Sequence, residues 1–498
     1  MSKLIGNQEF DGDVYVKGVG GYDGTNPSSA QTLEQVVDDN KVLMKGSGVN
    51  SVQSLPTVSS TAQDIYTITR YYHVKVSANA NSNVLNYTVY HWSSPSSYLT
   101  LSNIFENELD MNVVGTVVKV PTSSTSATIT SYTNGTTGTI TLSNALSTSA
   151  ISDQWLYVYP IIGCKASGSN SIAVGDMTKS NGNCSIALGY GTVASASHSL
   201  AIGNIGNGYG TEIRSGGIGS IAFGAISPGS DQGRYSLINA QGAGSVAGGY
   251  IFWQHAMIST QAEGAFALGC CLDDDSNIQA GYYGGYGRGS FALGCANTSG
   301  DIYSRGDGSF AIGYSTATDS YIKSEGNGSI AGGQVGYGLS NPGYIHTTSQ
   351  AKGGLAFGYA VGYGTIEASA PGSIALGNTD SGGGSIKAQG KGSFAGGYST
   401  DSDFRIMASG DGSIAYGCGV TTSNNGEAAF GVSNLSNNGG SESTKTRFSV
   451  GVGHLDNYIN AFEIMANGDV YIKGLGGYDG TNAGQSGVRT LQQILANV

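Results

Sequence analysis

Charge is the first thing this chain has little of. Only 11% of its 498 residues are Asp, Glu, Lys or Arg, against roughly a quarter in an average soluble domain. Cations are the scarcer sign, 22 Lys and Arg against 34 Asp and Glu, for a net charge of −12. That balance opposes a phosphate backbone or an anionic lipid surface, so no nucleic-acid partner is expected. No run of 18 apolar residues occurs, and no membrane insertion is expected. The first residues, Met1-Ser2-Lys3-Leu4-Ile5-Gly6, open no apolar h-region; they read as mature structure, made in the cytoplasm. Six cysteines without a CxxC pair suggest neither a disulfide framework nor a zinc site.

Chemistry-bearing patterns are equally thin. The six histidines, at 73, 91, 198, 255, 346 and 454, show no metal-ligand spacing. Asp273-Asp274-Asp275 reads as a solvated turn, because no ligand ladder accompanies it. Gly-rich stretches imitate a nucleotide loop, but none follows the βαβ pattern such a site needs. With no nucleophile elbow and no Ser/His/Asp order, the chain is expected to have no catalytic residues, no metal and no cofactor, and not to be an enzyme.

Glycine is what the chain has in excess, 81 residues, and its spacing is ordered. From 171 to 431 a unit Ser-apolar-Ala-apolar-Gly recurs fourteen times, starting at Ser171-Ile172-Ala173-Val174-Gly175 and ending at Glu427-Ala428-Ala429-Phe430-Gly431. Its starts step by 14, 14, 21, 25, 20, 25, 19, 20, 25, 19, 20, 20 and 14 residues. The longer steps add a second element, Ile-x-small, as in Ile213/Ser215, Ile302/Ser304 and Ile386/Ala388. Each coil therefore reads as two short strands joined by glycine turns. Period-two alternation gives these strands two sides. The expectation is that Ile172 and Val174 point into a thin roll, while the alanines point outward into space for one methyl group. Ala173, Ala187, Ala201, Ala222, Ala247, Ala267, Ala292, Ala311, Ala331, Ala356, Ala375, Ala395, Ala415 and Ala429 would then meet as ladders at a trimer axis.

The unit, and especially Gly191-Thr192-Val193-Ala194-Ser195-Ala196-Ser197-His198-Ser199-Leu200-Ala201-Ile202-Gly203, resembles the YadA-like head of trimeric autotransporter adhesins. The resemblance covers about residues 165–435 and implies a homotrimer of left-handed parallel β-rolls. Coils of 19–25 residues depart from that pattern and are similar to bacteriophage tail-fibre proteins.

The two ends repeat each other. Asp11-Gly12-Asp13-Val14-Tyr15-Val16-Lys17-Gly18 returns as Asn467-Gly468-Asp469-Val470-Tyr471-Ile472-Lys473-Gly474, and Gly20-Gly21-Tyr22-Asp23-Gly24-Thr25-Asn26 as Gly476-Gly477-Tyr478-Asp479-Gly480-Thr481-Asn482. Each copy leads to a capping-box helix start, Thr32-Leu33-Glu34-Gln35 and Thr490-Leu491-Gln492-Gln493. Helices so short need partners, so Leu33, Val37, Leu491 and Ile494 are expected in trimer contacts. The fold class expected is all-β. Residues 1–50 form a β-plus-helix trimerisation or attachment cap, 51–163 a β-sandwich-like module, 164–435 a Gly-rich parallel β-solenoid shaft of 14–25-residue coils, and 436–498 a second β-plus-helix cap.

The function expected is that of a phage tail fibre: a rigid homotrimer in the virion tail, held by other tail proteins and binding a bacterial surface glycan or protein. A trimeric autotransporter adhesin and a polysaccharide depolymerase tailspike are the alternatives. Aromatics that interrupt the repeat, Tyr250, Phe252, Trp253, Tyr282, Tyr283 and Tyr286, are the expected receptor-binding patch, since scaffold loops collect binding residues.

Overall fold

The computed structural model describes residues 72–497 apart from short gaps, the longest being 106–112, 228–235 and 337–341; before 72 it describes only 44–45, 52–53, 57–58 and 63–64. Leu33, Val37 and Tyr283 lie outside the described residues. The chain forms two compact units, Met1–His198 and Ser199–Val498.

In the first unit the alternating Val, Thr and Tyr runs make an antiparallel sheet. Its order is Ile151–Trp155, Tyr72–Ala78, Val84–His91, Thr137–Leu142, Ala127–Tyr132, Val117–Lys119, Tyr157–Val158 and Gln63–Asp64. Ile151–Trp155 lies at one end of that order, and Tyr157–Val158, two residues on, lies near the other. The chain bends at the fully buried Leu156, so one sheet curls over a single core of Val74, Val76, Leu85, Val89, Ile129, Ile140 and Leu142. The two layers of the expected sandwich are thus one continuous sheet. Two short parallel ladders follow, Ile172–Val174 on Ile186–Tyr190 and Lys179–Ser180 on Thr192–Ala194.

In the second unit every long coil contributes one strand to each of two parallel sheets. The motif strands, such as Phe266–Cys271, Phe291–Ala296 and Phe310–Ser315, stack in register with Ala over Ala and Gly over Gly. The Ile-x-small strands, such as Asn277–Ala280, Asp301–Ser304 and Tyr321–Ser324, stack as a second sheet with Ile over Ile. This is the parallel β-solenoid the repeat implies.

Its sidedness is the reverse of the expectation. Ala173 and Ala187 in the first unit, and the twelve motif alanines from Ala201 to Ala429 in the second, are 0% exposed within a single chain. They face the coil interior and cannot form a trimer axis. Their flanking residues point outward instead: Ile172 is 37% exposed and Phe223 40%. The alanine is small because the space opposite is taken. Ile213, Ile278, Ile322, Ile366 and Ile386 of the second sheet are fully buried in the same layer. A Cβ added at Gly203, Gly269 or Gly313 would lie 2.5, 2.9 or 2.8 Å from the Cδ1 of Ile213, Ile278 or Ile322. That isoleucine fills the layer opposite the motif strand's Ala and Gly, and in some coils the strand's last inward residue, Ile226, Ile251 or Val335, is buried as well.

Hydrogen bonds fix the rest of the motif. The Ser hydroxyl donates to the turn carbonyl three residues earlier, Ser220 to Gly217 at 2.6 Å and Ser309 to Gly306 at 2.7 Å. It also meets the small residue of the second strand, as Ser304 meets Ser309 at 2.8 Å. The position just before the motif is left-handed throughout: Asn170, Cys184 and His198 in the first three coils, then Gly219 (φ 66°) and its successors.

The last coil replaces the motif Ser by Glu427. Its buried carboxylate accepts from Ser423 N, Asn424 N and the Ser436 hydroxyl, and burial raises its pKa. Beyond it Thr446–Val452 pairs antiparallel with Asn460–Met465, and that strand with Val470–Ile472. Tyr478 donates to the buried Glu463 at 2.7 Å. The helix Leu491–Leu495 begins on the expected capping box, Thr490 with Gln493; Leu491 and Ile494 are half-buried there, and Leu495 is 64% exposed.

Candidate functional site: two opposed sheet faces

In the second unit the outward residues of the motif strands form an apolar face. One column runs Leu200, Ile221, Val246, Phe266, Phe291, Phe310 and Ile330. The rings of Phe266 and Phe291 stack at 4.9 Å, and those of Phe291 and Phe310 at 4.5 Å. In the neighbouring column a glycine sits beside a ring in three places. Gly248 lies under the Phe223 ring, Gly332 under Phe357, and Gly396 against Tyr416, so that an added Cβ would come within 2.5, 2.6 and 3.1 Å of them. Complementary sizes keep this face flat, although Ile312 is 42% exposed and Phe357 46%. Contiguous exposed apolar surface is a common property of contact sites.

The outward residues of the second sheet are mostly polar, and several are ion-paired. Lys323 Nζ lies 2.6 Å from Glu325 Oε1, His346 Nε2 3.1 Å from Glu325 Oε2, and Lys387 3.8 Å from Glu367. The bond from His346, followed by that from Lys323, holds Glu325 down to about 2 against the opposing effect of partial burial.

The aromatic residues expected in one patch are not brought together. Tyr250, Phe252 and Trp253 end a motif strand and enter the turn that follows it, Phe252 lying 6.2 Å from Tyr250 and 5.8 Å, edge-on, from Trp253. Tyr282 and Tyr286 belong to the turn after an Ile-x-small strand, on the other edge of the coil. There the Arg305 guanidinium carbon packs 5.0 Å from the Tyr282 ring centroid and 4.5 Å from that of Tyr303. Beside them Asp301 accepts from Asn277 Nδ2 at 2.9 Å, and burial pushes its carboxyl up to about 6. Tyr303, Arg305 and Asp301 were not singled out from sequence. Their signal was the 25-residue step from Ala265 to Ser290, whose extra residues all fall in the Tyr282 turn.

Cys270 pairs in register with Cys295. Both are thiols, and burial, then the hydrogen bond that the Cys295 S–H donates to Cys270, pushes Cys295 up to about 12. In the Asp273–Asp275 turn, Asp273 Oδ1 accepts from the Asp274 N–H at 2.9 Å, and His255 lies 3.4 Å from Asp275. Among the described residues no three His, Cys, Asp or Glu side chains gather as metal ligands.

Residues 166–192 and 185–204 match the YadA head domain repeat. The chain thus carries repeats of the kind that build adhesin-type fibres, and the match spans the short coils at the start of the solenoid. No curated protein matches the chain.

Proposed function

We propose that this chain is the subunit of a homotrimeric phage tail fibre that attaches a virion to a bacterial surface, a mechanical and adhesive role. The observation that carries the assembly is the apolar face. Stacked Phe266, Phe291 and Phe310, with Ile312 and Phe357, stand outward on a chain whose opposite sheet face is ion-paired. Burying that face against two further copies removes it from water, at roughly 25 cal/mol for each Å² of apolar surface. It also leaves the charged faces outward and keeps the register of the stacked coils along the fibre. The adhesin-type repeats at 166–204 support the same reading.

Light scattering on the purified chain at micromolar concentration tests it. The wild type is expected at three times the chain mass of 50.7 kDa. Ile312→Lys, on an exposed position, is expected to give a β-rich monomer. A monomeric wild type, or a variant that remains trimeric, overturns the interface.

A further inference from the structure

We infer that Cys270 and Cys295 are an oxidation site: a small-molecule disulfide converts the two thiols into one bridge that staples successive coils of the solenoid. The inference goes beyond the attachment reading, which supplies only its setting. A chain made in a reducing cytoplasm carries the thiols, and a fibre at work outside the cell carries the bridge.

The repeat itself builds the pair. Motif strands stack in register, so Phe266–Cys271 and Phe291–Ala296 place Cys270 directly beside Cys295. Such neighbours on parallel strands lie about 4.8 Å apart at Cα, inside the roughly 4.4–6.8 Å that a disulfide spans. Their side chains leave the sheet side by side, so the Cβ atoms start at a similar separation. Closing to the Cβ distance of a disulfide, about 3.5–4.5 Å, takes only a small movement. The glycine before each cysteine keeps the backbones close: a Cβ on Gly269 would lie 1.8 Å from the Gly294 carbonyl oxygen. The sulfurs already interact, the Cys295 S–H donating to Cys270.

Neighbouring cysteines do not compete. Cys271 is fully buried, its thiol donates to the Met257 carbonyl at 3.6 Å, and its register partners are Ile251 and Ala296. Cys418 stands beside Val432. Cys270 and Cys295 are only half-buried. Their column also holds Tyr250, Tyr314, Gln334 and Asn378, so it forms the polar margin of the apolar face, where a small oxidant reaches it. The position is also where a staple acts most. The step from Ala265 to Ser290 is one of three that run to 25 residues, and a bridge from 270 to 295 closes that whole coil into a covalent ring. Longer loops lose more chain entropy on closure.

Glutathione disulfide serves as the oxidant. Cys295 holds its proton, so Cys270 is the attacking sulfur. Its thiolate attacks one glutathione sulfur, the S–S bond breaks, and one glutathione leaves as thiolate. Cys295 then gives up its proton and attacks the Cys270 sulfur, expelling the second glutathione. Two protein thiols lose two electrons and two protons, and the oxidant takes them up to become two thiols.

The full chain, purified under reductant, is equilibrated in glutathione buffers from fully reduced to fully oxidised. Alkylation stops the exchange, and peptide mass spectrometry maps the sulfurs. Peptides bearing Cys270 and Cys295 are expected to be recovered joined, two hydrogens lighter than the reduced pair. Wild type is expected to melt a few degrees higher when oxidised and to return when dithiothreitol is added. Cys418→Ser is expected to keep that rise and Cys270→Ser to lose it. Glutathione adducts that persist without a bridge, a bridge between other cysteines, or a bridged chain that melts like the reduced one overturns the staple. The mapping is made on the unmutated chain, so a variant that fails to fold does not affect it. It needs neither trimer nor adhesion, so failure of the attachment reading is a separate result.

Discussion

The two sheets of each coil are alike inside and opposite outside. Inward, the motif strand presents Ala and Gly, with Ile226, Ile251 or Val335 at the end of some strands, and its partner presents Ile and Ser or Ala. Outward, one carries stacked phenylalanines and the other a Lys–Glu–His network. The inside is set by volume, because two close sheets leave the alanine column no room for a larger side chain. The outside is set by what covers it. Water suits the charged face; the apolar face is the one that the proposed trimer would cover.

Two columns of left-handed glycine give the sharpest way to break that inner uniformity. At Gly294, φ is 142° and a Cβ would lie 1.9 Å from the Gly313 carbonyl oxygen. Gly294→Ala is expected to cost on the order of 4 kcal/mol or more, since neither the backbone above nor the strand itself can yield. Loss of the folding transition in thermal melts checks this, and a melt within a few degrees of wild type refutes it. Gly308 sits at φ 61° with nothing within 4 Å of a Cβ. Its column holds Asn170 in the first coil, so Gly308→Asn is expected to cost less than about 1 kcal/mol. Filling a glycine at positive φ in a crowded and in an open column thus separates crowding from dihedral strain.

Next in size is overpacking of the interior. Ala292→Leu adds three carbons where Ala292 is fully buried between Ala267 and Ala311, for an expected loss of about 1–3 kcal/mol in the single chain. The outward position next to it behaves differently: Leu293→Ala is expected to leave the isolated coil's melting unchanged and to lower only the concentration-dependent part of trimer stability. Chemical denaturation at two protein concentrations checks both. If Ala292→Leu changes assembly but not the concentration-independent term, the inward assignment is wrong.

Strand positions, coil lengths and register were legible in the sequence because each motif recurs with its own glycine. Sidedness was not. Both alternating sets are apolar, and constancy of alanine fits an outer contact as well as an inner one. The variable set held the answer. A position that is Phe223 in one coil and Gly248 in the next cannot face so narrow an interior, whereas an open face accommodates the ring lying across the glycine. The aromatic patch failed for a related reason. Phe252 and Tyr282 occur in successive coils, but one follows a motif strand and the other an Ile-x-small strand, which places them on opposite edges. Local signals fared better: the Thr490–Gln493 capping box needs only neighbouring residues, while the bond from Tyr478 to Glu463 spans 15 residues and has no sequence signature.

The smallest expected effect lies on the charged face and concerns pH. Glu325 accepts from Lys323 and His346 and is held at about 2, below its ordinary value of 4.5. A carboxylate depressed by folding contributes stability that is complete above the unfolded value and is lost as pH falls toward the folded one. Glu325 therefore makes the solenoid less stable between about pH 4.5 and pH 2, while Glu427, raised by burial, acts with the opposite sign. Glu325→Gln is expected to melt slightly below wild type at pH 7 and to converge on it toward pH 2. Lys323 and Glu325 are 20% and 23% exposed, so water still screens the pair; the gap at neutral pH should be about 1 kcal/mol and should shrink in 1 M salt. Thermal melts across that range decide it. A gap that persists at pH 2 would mean that Glu325 acts through packing of its stem against Arg305 and Lys323 rather than through its charge, and the outer face would then be held by the same kind of contact as the inner one.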